Sequence, residues 1–289
     1  MTLKVLMKAN WISSRGLRDL WDKLGDGNYS FSRDGLEIRM VYEAPYDYVV
    51  VVNGTDDKTI PLHRTIYLVM EPVIRDTVWA FYRSNPSLFR AVWDHRKGNY
   101  NNNEWHLSKT RQQLINDASF IVKTKGDAVS AVLSDKYFDE GHKLRVNLAL
   151  KAQHELEWHS YGGNGFKWKD YRGALPMYSK DEALFPYKYT FNAENTFIEG
   201  YYTEKLIDAI LSECLCFYAG PPDIDELVDS RAFVKLDMSN AEESIRVMKR
   251  AIEENWYAER LPYIRRAKQK ILQETGFFPR LHALLRADR

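Results

Sequence analysis

The chain has 289 residues, enough for one large domain or two of ordinary size, and its 45% hydrophobic and 28% charged content is that of a globular protein. With 41 basic and 40 acidic residues the net charge is +1, which excludes a single-sign field able to grip a nucleic-acid backbone non-specifically. Only two cysteines occur, Cys214 and Cys216, which excludes a disulfide framework and fits a buried pair in a reducing compartment.

In chain order, Leu3–Met7 reads as a short apolar strand, too short for a signal-peptide core or a membrane span. Ser14 is the predicted cap of a helix from Leu17 to Leu24, with Leu17, Leu20, Trp21 and Leu24 on one face. Leu36–Tyr42 alternates as a strand, and Tyr48–Val52 is a continuous β-branched run ending at the turn Asn53-Gly54. The Asn28 and Asn53 sequons are read as chance matches. Thr65–Met70 is a further strand ending at Glu71-Pro72. Ser84–Ser87 is expected to start a helix towards Trp93, and residues 101–103 form a polar loop. Arg111–Leu114 reads as helix and Ala118–Lys123 as strand.

The second half repeats this logic. Strands are expected at Ala128–Leu133, Leu156–Tyr161, Tyr187–Phe191 and Leu215–Tyr218. Helices are expected from Gly141, over Tyr202–Leu211, and over Ala241–Trp256 and Ala258–Thr275. Strand–helix alternation in both halves predicts an α/β protein of two Rossmann-like domains with a boundary near Lys125–Asp127. The domains are then 1–126 and 127–289.

The informative stretch runs from Tyr187 to Asp237. It contains Glu194-Asn195-Thr196 after an apolar strand, Tyr201-Tyr202-Thr203-Glu204-Lys205 at a helix start, Tyr218-Ala219-Gly220 at the end of the next strand, and Asp223-Ile224 at a turn. In order and spacing these resemble the donor-binding signature of glycosyltransferase family 10, the α-1,3-fucosyltransferases. Upstream, Gly141-His142-Lys143-Leu144-Arg145 resembles the Gly-His-x-x-Arg helix start of its soluble bacterial-type members, and Tyr161-Gly162-Gly163 their aromatic-glycine turn. The match covers Ala128 to Asp237 well and the first half weakly. It implies a GT-B fold, with two Rossmann-like domains facing each other across a cleft, the first for the acceptor and the second for the donor. It also implies an inverting, metal-independent transfer of a sugar from a nucleotide sugar, by family default GDP-fucose, to a glycan hydroxyl. A soluble, cytoplasmic, bacterial or virus-encoded enzyme fits.

Physical chemistry supports the same residues. A diphosphate needs cations beside a helix N-terminus, which Lys205 and Arg145 supply. Glu204 is suited to accept hydrogen bonds from two ribose hydroxyls. The resemblance adds Tyr201 and Thr203 beside the donor, and Glu194 and Asn195 near the transferred sugar or its phosphates. Alone, Glu204 and Lys205 would read as a helix-capping acid and a solvated lysine, and Asn195-Thr196 as a turn.

Inversion requires a general base, expected in the first domain at a strand end. Glu71, at the carboxyl end of an apolar strand, resembles the family's strand-end glutamate, and Glu43 is the alternative by position. Asp223-Ile224-Asp225 spells D-x-D but lies where the family has a turn, so no metal is expected there. Asp56-Asp57 is expected at the surface, and His142, His154 and His159 lack metal-ligand spacing. Ala193, Ala219 and the Cys214-Leu215-Cys216 run depart from the family pattern close to the donor. They leave open another donor such as UDP-xylose, or a non-catalytic carbohydrate-binding relative.

Overall fold

A computed structural model describes residues 1–72, 82, 84–95 and 104–287. The chain divides into two compact units. The first comprises Met1–Glu104, Lys109–Asn116 and Leu272–Arg289, and the second comprises Trp105–Ser108 and Asp117–Ile271.

The first unit is built on a six-stranded sheet. Its strands are β1 (Thr2–Ala9), β2 (Ser30–Arg33), β3 (Leu36–Val41), β4 (Tyr48–Val52), β5 (Thr65–Leu68) and β6 (Ala91–Trp93), in the order β2-β3-β1-β4-β5-β6. Only β2 runs antiparallel, on the edge beside β3. The five parallel strands have the doubly wound order 2-1-3-4-5, so the connections reverse direction between β1 and β4. Val49 to Val52 are fully buried, which explains their continuous apolar run: a central parallel strand has no solvent face. Helix α1 (Ser14–Trp21) turns Leu17 and Trp21 inward and is capped by Ser13, one residue earlier than the sequence suggests, whose Oγ accepts from Gly16 N.

The second unit carries an all-parallel sheet of β7 (Val129–Leu133), β8 (Trp158–Gly162), β9 (Tyr171–Gly173), β10 (Tyr189–Ala193), β11 (Leu215–Ala219) and β12 (Phe233–Lys235). Their order, β12-β11-β10-β7-β8-β9, is the 3-2-1-4-5-6 order of a dinucleotide-binding fold, with its switch point between β7 and β10. Helices α2 (Arg111–Asn116), α3 (Glu140–Ala152), α4 (Asp181–Leu184), α5 (Glu204–Leu211), α6 (Ile224–Leu227), α7 (Ala241–Glu253), α8 (Trp256–Lys270) and α9 (Phe277–Arg286) are the other α-helices among the described residues, α2 and α9 belonging to the first unit.

The sequence-based division at 126/127 differs from these units in three places, the first being Trp105–Ser108, which belongs to the second unit. The main crossing falls at Asp117, and Leu272–Arg289 joins the first unit. The physical reason is an aromatic cluster. Phe277 meets Trp21 edge-on at 4.8 Å, Phe278 stacks on Phe31 at 5.6 Å, and Arg111 lies over Phe31 while donating to Leu272 O. Two element predictions are corrected. Ala118–Lys123 is not a strand but a loop from which Lys123 Nζ donates to Ser212 O at 2.7 Å, a bond outside any ladder. The helix expected from Ser84 towards Trp93 is a single 3-10 turn, Pro86–Leu88, followed by β6. The loop expected at 101–103 lies outside the described residues.

Candidate nucleotide-sugar site

In open parallel sheets ligands bind beyond the carboxyl ends of the strands, at the switch point. In the second unit β7 and β10 flank that point, β7 leading into α3 and β10 into the loop before α5. Arg145, Glu194, Asn195, Tyr201, Thr203, Glu204 and Lys205 all lie on these two connections or the helices they start.

Helix α3 starts where Asp139 accepts from His142 N. Gly141, in its first turn, is pressed against the chain after β10: an added Cβ would stand 2.0 Å from Asn195 O. Only glycine permits that approach. It brings Arg145, one turn further on, to Ala193 O at 3.0 Å and Asn195 Oδ1 at 3.1 Å through Nη1. Arg145 is 6% exposed, and its buried Nε has no hydrogen-bond partner among the described residues, a donor left over for an incoming acceptor.

Glu194 is the hub of the network. It is fully buried at the end of β10 and accepts from Thr203 N and Oγ1, from Lys205 Nζ at 3.0 Å, and from Tyr218 OH at 2.8 Å. Burial and the Glu194 charge push the Tyr218 hydroxyl well above the ordinary tyrosine range, so it stays a donor. The ring of Tyr218 curls over Gly220, where a Cβ would stand 2.3 Å from it, which accounts for the glycine two residues after the tyrosine.

Thr203 is the N-cap position of α5, and Glu204 and Lys205 are its first two residues. Lys205 Nζ donates to Thr203 Oγ1 at 2.8 Å and lies 3.6 Å from Glu204 Oε1. Burial opposes its charge, but Glu194 and Glu204 outweigh that and raise its pKa. Burial likewise opposes the charge on Glu204, while Lys205, Lys180 and His106 hold its pKa well below the carboxylate range. The site is thus a set of ionised groups fixed before any ligand arrives.

The structure brings Arg145, Glu194, Asn195, Thr203, Glu204 and Lys205 together. Glu194 lies beneath the surface, its carboxylate taken up by Thr203, Lys205 and Tyr218. Tyr201 is only 3% exposed and likewise presents almost no face to a ligand. Two residues that the sequence reading missed, Lys180 and His106, also reach this network. Lys180 Nζ lies 3.3 Å from Glu204 Oε1 and 2.7 Å from Asp208 Oδ2, and His106 Nδ1 lies 3.9 Å from Glu204 Oε1. No local motif signals them, because their partners are 24 or more residues away in sequence.

The D-x-D pair separates in space. Asp223 accepts from Gly200 N, pinning the loop before Tyr201, whereas Asp225 pairs with Lys235 at the surface. Among the described residues no cluster of three metal-ligating side chains occurs, and no helix is long and apolar enough to cross a membrane.

In the first unit Glu71 follows β5 and is exposed, its carbonyl accepting from His95 Nε2 at 3.0 Å. Glu43, also exposed, follows β3, and Trp11, 46% exposed, follows β1. All three therefore stand at the carboxyl edge of the parallel strands.

No family model matches the chain. The α-(1,3)-fucosyltransferase FucT of Helicobacter pylori is 38% identical over 72 residues, which are 25% of this chain and 15% of that protein. The chain thus spans only a small part of that relative's length. A crystal structure of an α1,3-fucosyltransferase superposes with a TM-score of 0.55 at 17% identity, covering 90% of this chain and 81% of the other. An α-glucosyltransferase solved with UDP and DNA gives a TM-score of 0.58 at 10% identity over the full length of both chains. HepE of Anabaena, solved with UDP-glucose, gives 0.56 at 10% identity over 99% of this chain and all of the other. At these identities the likeness concerns the fold: the chain has the two-domain α/β fold of the GT-B glycosyltransferases.

Proposed function

We propose that the chain is an inverting glycosyltransferase that moves fucose from GDP-fucose onto a hydroxyl of a glycan acceptor. The observation that carries this reading is the set Arg145, Lys205 and Glu204 at the switch point of a dinucleotide-binding sheet, organised around buried Glu194. Arg145 and Lys205 bind the diphosphate and stabilise the charge that develops on it as the glycosidic bond breaks. The N-terminus of α5 adds its dipole. Glu204 accepts from the ribose hydroxyls. Asn195 and Thr203 orient the two cations, Glu194 holds Thr203 and Lys205 from below, and Tyr201 backs the loop that carries them. These cations answer the leaving-group charge without a divalent ion.

Glu71 is the proposed general base. It takes the proton of the acceptor hydroxyl as that oxygen attacks the anomeric carbon from the face opposite the diphosphate, which inverts the configuration. Trp11 offers a flat face for an acceptor pyranose.

A second donor reading, a UDP-sugar such as UDP-xylose, draws support from Ala193, Ala219 and Cys216, the departures that lie on the strands leading into the site. The deciding experiment presents a panel of nucleotide sugars and follows thermal stabilisation and slow donor hydrolysis. A response to GDP-fucose alone sustains the fucosyl reading, and a response to a UDP-sugar replaces it. Stabilisation without turnover on any glycan acceptor favours a carbohydrate-binding relative. Glu71→Gln should leave nucleotide binding unchanged and lower turnover about 10²–10⁴-fold. Unchanged turnover would move the base to Glu43.

A further inference from the structure

We propose that Lys180 sets Glu204 as a reader of the ribose, so that this chain selects ribonucleoside diphosphates over their 2′-deoxy counterparts. The inference rests on the reading of Glu204 as the ribose acceptor and adds the residue that makes it selective.

Glu204 and Asp208 are four residues apart on α5 and so share one face, where two like charges repel. Lys180 bridges them, 3.3 Å from Glu204 Oε1 and 2.7 Å from the buried Asp208 Oδ2. Its placement is fixed from its backbone as well. Lys180 N donates to His106 O at 2.7 Å, and His106 N donates to Asp208 Oδ1 at 2.7 Å. Lys180, His106 and Asp208 therefore close a ring of bonds, from which Lys180 Nζ also reaches Glu204.

Lys180, Lys205 and His106 all approach the same oxygen of Glu204, at 3.3, 3.6 and 3.9 Å. A carboxylate anchored through one oxygen cannot rotate freely. It is pre-set to receive a vicinal diol, and it gives up little freedom on doing so. A lysine that served only to balance the buried Asp208 would need no contact with Glu204. Lys180 is a positioning residue, acting on the ligand through Glu204.

The test measures binding of GDP, 2′-deoxy-GDP, UDP and 2′-deoxy-UDP by titration calorimetry, alongside the melting temperature. The wild-type protein is expected to bind its preferred ribonucleotide about tenfold more tightly than the 2′-deoxy form, as one hydrogen bond to a charged acceptor implies. In Lys180→Met that ratio should fall to within about twofold, mostly through weaker binding of the ribonucleotide, and Lys180→Arg should retain most of it. Lys180→Met leaves Asp208 unpaired and can lose stability on that account. The double variant Lys180→Met/Asp208→Asn removes the orphaned charge and keeps an acceptor for His106 N. It should melt close to wild type and still lack the ratio.

A ratio preserved in either Met variant overturns the inference while leaving the donor site standing. Equal weakening for both sugars also overturns it, by making the role purely structural. A wild-type protein that binds nucleotides without discriminating overturns the ribose role of Glu204 and this inference with it. Binding of neither GDP nor UDP would instead sink the donor reading itself.

Discussion

The carboxyl edges of the two sheets are built on opposite plans. In the second unit the edge at the switch point is a closed network: buried Glu194 takes bonds from three residues, Lys205 is paired, and Arg145 is held at two oxygens. In the first unit the corresponding edge carries exposed Glu43, Glu71 and Trp11 on separate connections. A diphosphate is a fixed, highly charged ligand, and rigid preorganised charges suit it. On the proposed function, a neutral acceptor sugar would be held by flat faces and single hydrogen bonds, for which open side chains suffice.

The contrast breaks most directly at its hub. Glu194→Ala strands Lys205 and the Tyr218 hydroxyl in a buried place, and should cost about 3–5 kcal/mol of stability. Chemical denaturation checks this, and a loss below about 1 kcal/mol would mean the network is not preorganised. Next in size, Lys205→Met should lower turnover roughly 10²–10³-fold, as the loss of one stabilising donor does. Trp11→Ala should leave nucleotide binding untouched and raise only the acceptor KM. A change in nucleotide affinity in Trp11→Ala would end the separation of roles. Gly141→Ala drives a methyl into Asn195 O and should cost about 1–3 kcal/mol, together with donor affinity. A melting curve unchanged from wild type would show that the close approach yields without strain.

The smallest effect is a pH slope from two histidines of the second unit. Burial, reinforced by Arg172, lowers the pKa of His159, and burial, reinforced by Arg145, lowers that of His142, both from 6.5. His159 is held neutral, its Nδ1 bonded to Tyr187 OH at 2.9 Å and its Nε2 accepting from Arg172 at 2.8 Å. With folded-state values depressed, the unfolded chain binds protons first. Stability is therefore complete above about pH 6.5 and declines as pH falls below it. His159→Gln should flatten the decline between pH 7.5 and 5.5 in thermal melts, and an unaltered slope would assign it elsewhere.

How much of this was legible in the sequence follows the same division. The connections proposed to bind the donor were readable because their chemistry is local: Thr203, Glu204 and Lys205 are consecutive, and Glu194 and Gly220 are spaced by the strands that carry them. Lys180 and His106 were not, since each is an ordinary polar residue until the fold brings it to α5. Phe120-Ile121-Val122 imitates a strand, yet it joins neither sheet, and Lys123 bonds helix-end carbonyls instead. The three-residue strands β9 and β12 are too short to show alternation. The polar edge β2 and the Phe277–Arg286 helix escaped notice because each makes sense only against the other.

That last pairing bears on biosynthesis. Because Leu272–Arg289 belongs to the first unit, the final wall of that unit leaves the ribosome only after the whole of the second unit has been made. The half begun first is therefore finished last, and a nascent chain holds Trp21 and Phe31 without their Phe277 and Phe278 partners until the second unit is complete and those residues have been added. Chaperone dependence during synthesis should accordingly fall on the amino-terminal half, and a fragment cut at residue 126 should be aggregation-prone where one spanning 105–271 is not.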